Sequence, residues 1–359
     1  MVILHIAAIK NNPFNGVCVV VPEYLETQKS YAEIGFININ NEEIDGVKNR
    51  FEYKKPFNLS SLPSPFNKPD LVVFQEAYRG DYLSIAKVLR KNNIPYVIVP
   101  HGELTEFAQK KKRIKKLAAN LLLFNRFTKK ALAIQCLSAK ELDTTHFGKR
   151  KFIGTNGVRM PLVKKESFRE SGIRFVYIGR LEVTIKGLDI MIAAFSLKKE
   201  LLKREGCELS IYGPDLCGRY AEVEGLIEKY DVGDIVHLNH EISGKDKENA
   251  LLDSDVFIQT SRTEGMPLGI LEAMSYGLPV LITEGTRLSD TVAEANSGWT
   301  ATTDVKAVAE AIERAVIERT TLKEKSSNAV SCIQKSFSWD HISKNTVKSY
   351  QELVFSKDK

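Results

Sequence analysis

Short apolar runs recur along the chain, set between longer segments whose apolar positions return at helical spacing. In the first half the runs cover residues 2–7, 35–39, 71–74, 96–99 and 131–134, and residues 82–91 show the helical spacing between two of them. After a polar stretch at 156–172, a second series covers 175–179, 209–213, 235–238, 256–261 and 279–283. Strands alternating with helices predict a doubly wound, mostly parallel α/β sheet, and two such series predict two of them. The expected organisation is an N-terminal Rossmann-like domain at 1–155, a linker at 156–172 and a second Rossmann-like domain at 173–338. Residues 41–69, rich in Asn, Lys, Ser and Pro, read as an irregular connection holding one short strand. The tail at 339–359 predicts an amphipathic helix that crosses back to the first domain. Two linked sheets make a cleft, and in open parallel sheets ligands bind beyond the carboxyl ends of the strands.

One junction stands out in this pattern. The run at 256–261 leads into Glu264-Gly265-Met266-Pro267-Leu268-Gly269-Ile270-Leu271-Glu272, and Gly277 and Pro279 mark the end of the helix that this stretch opens. Pro267 falls at the first turn, so the loop amides and the positive end of the helix dipole face whatever lies above the strand ends. An anion fits there. Glu264 lies in that mouth and Glu272 about a turn and a half inside the helix. A second junction, Gly179-Arg180-Leu181-Glu182-Val183-Thr184-Ile185-Lys186-Gly187, sets two cations six residues apart, from a strand end to near a helix start. Such a pair suits a diphosphate, Arg through two parallel N–H bonds and Lys as a mobile point charge, although alone it more often describes two surface cations. Glu264, at a later strand end on the same sheet edge, favours the first reading.

Composition changes this picture only in part. Of 359 residues, 43% are hydrophobic and 27% charged, which suits a soluble globular protein of about two domains. The net charge of +6 is uneven: residues 1–170 hold 28 Lys+Arg against 16 Asp+Glu, a surplus of 12, and the remainder carries −6. A basic half implies an anionic partner. Aromatic interleaving and RNP-like or zinc motifs are missing, so nucleic acid is not expected, and that reading would leave Glu264 and Glu272 unexplained. Five scattered cysteines without a C-x-x-C pair suggest neither a disulfide framework nor a zinc site, and point to a reducing cytoplasm. The N-terminus has no secretory pattern and no stretch approaches the ~20 apolar residues of a membrane span, so a cytoplasmic protein is expected. The run Lys110-Lys111-Lys112-Arg113-Ile114-Lys115-Lys116 precedes an apolar stretch at 117–124. It suits peripheral contact with an anionic membrane leaflet, at roughly 1 kcal/mol per basic residue, and equally a solvated helix face.

Together these motifs resemble the retaining glycosyltransferases of family 4, which have the GT-B fold. The resemblance rests on Gly179-Arg180-Leu181 with Lys186-Gly187, on Glu264-Gly265-Met266-Pro267 with Glu272-Ala273, and on Gly277-Leu278-Pro279-Val280. In the first half it rests on Pro100-His101-Gly102 and Thr155-Asn156-Gly157-Val158. It implies two Rossmann-like domains facing a central cleft and a nucleoside-diphosphate sugar as donor. The implied acceptor is a hydroxyl of a glycan, lipid-linked, in the assembly of a bacterial surface polysaccharide such as capsule or O-antigen. By the same resemblance Glu264 holds hydroxyls of the donor sugar and Glu272 those of the ribose. The stretch Gly265-Met266-Pro267-Leu268 turns its backbone N–H groups, of which Pro267 has none, to the sugar and diphosphate, while Arg180 and Lys186 stabilise the leaving diphosphate. His101 is the histidine expected near the donor sugar, and Gly16 marks a turn facing the diphosphate or the acceptor, with one glycine where the family usually has a pair. No metal or other cofactor is implied: Asp253-Ser254-Asp255 mimics a D-x-D motif but precedes its strand, at a helix-to-strand turn. An epimerase, a phosphorylase or a non-catalytic nucleotide-sugar-binding protein on the same scaffold stays open.

Overall fold

The computed structural model describes residues 1–12, 15–110, 120–216, 218–264 and 266–355. They divide into two units, Met1–Gly157 with Trp339–Lys359, and Val158–Ser338. The chain thus leaves the first unit once and returns to it once.

In the first unit the described strands are β1 (Val2–Ala7), β2 (Glu33–Asn38), β3 (Arg50–Glu52), β4 (Leu71–Gln75), β5 (Tyr96–Val99), β6 (Ala133–Cys136) and β7 (Lys151–Ile153). They form one sheet in the order β3-β2-β1-β4-β5-β6-β7. In the second unit β8 (Arg174–Ile178), β9 (Glu208–Tyr212), β10 (Val236–Asn239), β11 (Val256–Gln259), β12 (Val280–Thr283) and β13 (Gly298–Ala301) form a sheet in the order β10-β9-β8-β11-β12-β13. Every pairing is parallel. Helices cover both faces of such sheets, which is why β4, β5, β11 and β12 are buried along their whole length and read as unbroken apolar runs.

Strand order places the crevices. Each sheet grows outward from its first strand in one direction, then the chain crosses to the other side, between β1 and β4 in one unit and between β8 and β11 in the other. At such a switch point the connections leave in opposite directions and open a gap above the carboxyl ends. The helices that bear on these gaps are α1 (Gly16–Gln28), α2 (Gly80–Lys91), α3 (Val183–Lys186), α4 (Leu188–Leu197), α5 (Gly244–Asp253) and α6 (Leu268–Ser275), and α7 (Trp339–Phe355) closes the described chain.

Several elements differ from the sequence pattern. The short strand expected within 41–69 is β3, whereas β7 and β13 have no apolar run to announce them. Both are edge strands of three or four residues, where one side of the ladder is open and β-propensity says little. The stretch read as a linker is held by the second unit from Val158 onward. Val158 N–H bonds Phe337 O at 2.8 Å and Lys165 N–H bonds Tyr276 O at 2.8 Å. Buried Lys165 also donates Nζ–H to Leu252 O at 3.0 Å and lies 3.3 Å from Asp255 Oδ1. The tail helix α7 belongs to the first unit, where Trp339 packs edge-on against Tyr24 with ring centroids 4.8 Å apart. Among the described residues no helix is long and apolar enough to cross a membrane.

Candidate functional site

In the second unit the switch point brings Lys186 and Glu264 together. Lys186 closes α3, just past the end of β8, and Glu264 lies in the loop after β11, the strand beside it. Lys186 Nζ stands 2.6 Å from Glu264 Oε1, and both side chains are mostly buried, at 14% and 12% exposure. The same oxygen accepts Ser261 Oγ–H at 2.7 Å and Gln259 Nε2–H at 2.9 Å. Gln259 also donates to Ser261 Oγ at 3.0 Å, so the three donors brace one another. Oε1 is saturated, while Oε2 has no partner among the described residues. A buried ion pair does not favour stability over an apolar pair of similar size, which makes this pair a candidate for the site.

The local backbone explains why Lys186 reaches Glu264. Gly187 ends α3 with φ +67, and a Cβ there would stand 2.0 Å from Thr260 O, so only glycine lets the two segments approach. Thr260 Oγ1–H bonds Gly187 O at 2.8 Å and Arg262 N–H bonds Ile185 O at 2.9 Å. Arg262 then forks onto Asp189 with two bonds of 2.7 Å and onto Thr184 O at 2.8 Å. Arg262 and Asp189 thus clamp the Lys186 turn to the Glu264 loop.

Helix α6 begins at Leu268, with Pro267 as its N-cap at φ −82, ψ 87, instead of inside the first turn as the sequence suggested. Pro267 offers no side-chain cap, while Leu268 N–H bonds Met266 O at 3.0 Å and Ile270 N–H bonds Pro267 O at 3.1 Å, so among the described residues the first turn is closed by backbone alone. Glu272 consequently sits just over one turn inside. It pairs with Lys247 of α5 at 2.5 Å, and both side chains keep about a third of their surface. The helix ends in a Schellman turn, Gly277 at φ +87 with Leu278 N–H bonded to Ala273 O at 3.0 Å, as Gly277 and Pro279 foretold. Arg180 is exposed, one residue beyond Gly179 at the end of β8, and its guanidinium makes no ion pair among the described residues. The structure therefore joins Lys186 to Glu264 and leaves Arg180 as a separate, open cation. Gly265 lies outside the described residues, as do Lys111 to Lys116 of the basic run.

In the first unit His101 follows β5 with a left-handed backbone, φ +48, and Glu76 follows neighbouring β4 with φ +75. Such conformations are uncommon for residues other than glycine, and where the surroundings impose them they cluster at functional sites. His101 Nε2 lies 2.8 Å from Gln75 Oε1, and burial lowers its pKa to about 4. Glu76 bonds Arg79 at 2.6 and 2.8 Å, and its pKa is raised because burial outweighs that partner. Gly16 is the first residue of α1, after the cap Asn15, whose Oδ1 accepts Val17 N–H at 3.0 Å. A Cβ on Gly16 would meet nothing within 4 Å, so packing alone does not demand glycine there.

Asp253 and Asp255 flank the turn between α5 and β11. Asp255 Oδ2 accepts Arg174 N–H at 3.0 Å, which pins β8 to that turn from below. Sequence reading missed Gln259, Ser261, Arg262 and Asp189 around the pair. Gln259 and Ser261 are polar residues closing an apolar strand at its carboxyl end, and that is the one sign they carried.

Residues 159–331 match the family model "Glycosyl transferases group 1". The chain is 27% identical over 179 residues to a component of the human phosphatidylinositol N-acetylglucosaminyltransferase, an alignment covering 44% of this chain and 37% of that protein. It is 32% identical over 80 residues to a putative colanic acid biosynthesis glycosyltransferase, WcaL, of Salmonella typhimurium, covering 21% and 20%. The chain thus matches well under half the length of these curated relatives. Among solved structures, HepE of Anabaena in complex with UDP and glucose superposes with a TM-score of 0.71 at 16% identity, covering 98% of this chain and all of that one. Residues 159–331 are thus similar to the glycosyl transferases group 1, in a chain with the two-sheet fold of the GT-B glycosyltransferases.

Proposed function

We propose that the protein moves a sugar from a nucleoside-diphosphate sugar to a hydroxyl of a glycan acceptor, with retention of configuration, as the resemblance to family 4 implies. The observation that carries this reading is the Lys186–Glu264 pair at a switch point, beside the uncapped start of α6 and inside the matched domain. Its chemistry suits a sugar diphosphate. Glu264 keeps one oxygen for substrate hydroxyls while Lys186 cancels its charge, so the carboxylate does not repel the diphosphate. The ammonium spends one N–H on Glu264 and has two more to offer. Arg180 and the positive end of the α6 dipole add positive potential where charge collects as the bond from the anomeric carbon to the phosphate oxygen breaks. The acceptor oxygen then bonds that carbon from the same face and passes its proton to the departing phosphate oxygen. Glu272 is read as the holder of the ribose hydroxyls, with Lys247 as its resting partner. With side-chain cations available, no metal is needed in this scheme.

HepE was solved with UDP and glucose, and WcaL is named for colanic acid biosynthesis. These favour a nucleotide-sugar donor and a bacterial surface polysaccharide acceptor such as capsule or O-antigen. A lipid-linked acceptor, with the basic run at 110–116 against the inner face of the cytoplasmic membrane, completes the proposal. A thermal-shift screen against UDP, GDP and ADP sugars tests the donor, since a ligand at 100 times its Kd adds about 2.7 kcal/mol of stability. Transfer by the hit should fall about 10²-fold in Glu264→Gln and persist in EDTA. Wild-type turnover in Glu264→Gln rejects the site, and binding without transfer to any glycan rejects the enzyme.

A further inference from the structure

A buried polar string runs through the first unit where the strand pattern calls for apolar side chains. His5 lies in the middle of β1, Gln75 closes β4 and Gln28 closes α1, and none is more than 1% exposed. Their side chains form one line with His101. Gln75 Oε1 accepts His101 Nε2–H at 2.8 Å, Gln75 Nε2–H donates to His5 Nδ1 at 3.2 Å, and His5 Nε2–H donates to Gln28 Oε1 at 3.0 Å. Each bond dictates the next, because an amide offers an acceptor at one end and a donor at the other. At the blind end Gln28 Nε2 has no partner. At the other end His101 Nδ1 has no partner among the described residues, on a residue that is only half-buried.

Such a string is costly. Three polar side chains give up water altogether and His101 in part, one amide goes unpaired, and apolar residues of the same shape would serve the core as well or better. The left-handed backbone of His101 adds strain at the same place. A breach of the strand pattern that ends on a strained residue at a strand's carboxyl end is what a site, and not a core, requires.

We propose that Gln75 and His5 are positioning residues, which hold the His101 ring with Nε2–H turned inward and leave Nδ1 as a lone-pair acceptor for a substrate hydroxyl. This rests on the transferase reading given above. The charged groups around the loop do not bond the ring. Glu141 Oε1 accepts Gly102 N–H at 2.7 Å, Glu103 Oε2 accepts Ala77 N–H at 2.6 Å, and Glu76 is taken by Arg79. Burial keeps both rings neutral at physiological pH, each with its pKa lowered to about 4.

Nitrogen-15 spectra of the imidazole rings test this directly, with His101→Gln used to assign the His101 signals. The wild-type ring should be neutral and in the Nε2–H form from pH 7 down to 5. Gln75→Leu should give mixed tautomers and lower kcat by about tenfold or more at an unchanged donor KM. Gln75→Glu keeps an acceptor for Nε2–H, so it should restore the tautomer, recover part of kcat and move the acid limb of the pH–rate profile upward. An Nδ1–H ring in the wild type, or Gln75→Leu with tautomer and kcat unchanged, overturns the proposal. Should Gln75→Leu fail to fold, the wild-type spectrum still decides. A failure of the transferase reading shows in the assay, and a failure of the positioning claim shows in the spectra.

Discussion

At the scale of single residues, the candidate site was legible where a side chain sits in a motif and illegible where it meets a distant partner. Glu264 and Lys186 stand out in the sequence because each follows a strand beside a glycine, yet nothing in their spacing says that they touch, since 78 residues separate them. His5 is harder still. It reads as one more member of an apolar run, and its partners Gln28 and Gln75 lie 23 and 70 residues away. Its burial has a consequence in pH. His5 titrates near 6.5 in an unfolded chain and near 4 when folded, so between those values the unfolded state binds more protons. Stability is therefore complete above pH 6.5, falls as the pH drops towards 4, and loses nothing more from this group below it. A shift from 6.5 to about 4 is worth about 3 kcal/mol. Denaturant titrations at pH 7 and 4.5 should show a smaller acid-induced loss in His5→Gln than in the wild type, and equal losses would contradict the assignment.

At the scale of elements, the parallel strands of both sheets were readable because burial on two faces leaves unbroken apolar runs. The edge strands β7 and β13 were not, since a short strand with one open side is specified by its neighbour's backbone more than by its own residues. The start of α6 was displaced by one residue, which is the ordinary uncertainty of a helix end. What the sequence did not reveal is how α3 is fastened to the loop after β11. That junction depends on Gly187, whose φ of +67 and contact with Thr260 O exclude any side chain. Gly187→Ala should cost at least about 1–2 kcal/mol for the backbone alone, and more once Thr260 is pushed away. For a unit of this size that lowers Tm by about 2–8 °C. Because the displaced turn carries Lys186, transfer should fall by up to about 10²-fold, more than the loss of folded protein explains. Calorimetry beside a rate measurement on the same sample checks both, and a variant that melts and turns over like the wild type would show that the junction is loose.

At the scale of the whole molecule, the two apolar series in the sequence correspond to two sheets, but the chain's division was only partly visible. Residues 158–172 look polar and linker-like, yet from Val158 onward they are anchored by Lys165 and by the bond to Phe337, partners that come from far along the chain. The tail is the opposite case, an amphipathic helix whose apolar stripe says that it packs without saying where. In the structure α7 completes the first unit. Trp339, Ile342, Val347 and Tyr350 are all buried, Tyr350 reaches Gln135 of β6, and Tyr31 Oη–H bonds Asp340 at 2.6 Å. Four such side chains stabilise by about 6–12 kcal/mol in all, at 1.5–3 each, against a net stability for a domain of about 5–15 kcal/mol. A chain ending at Ser338 should therefore lose the thermal transition of the first unit and keep that of the second, whose core contains none of these residues. Lys186, Glu264 and Glu272 all belong to the surviving unit, so the nucleotide sugar that raises Tm in the full chain should still raise the remaining transition. Two intact transitions in the shortened chain would show that α7 is dispensable. One transition that no longer responds to the donor would show that the second unit does not hold the nucleotide sugar by itself.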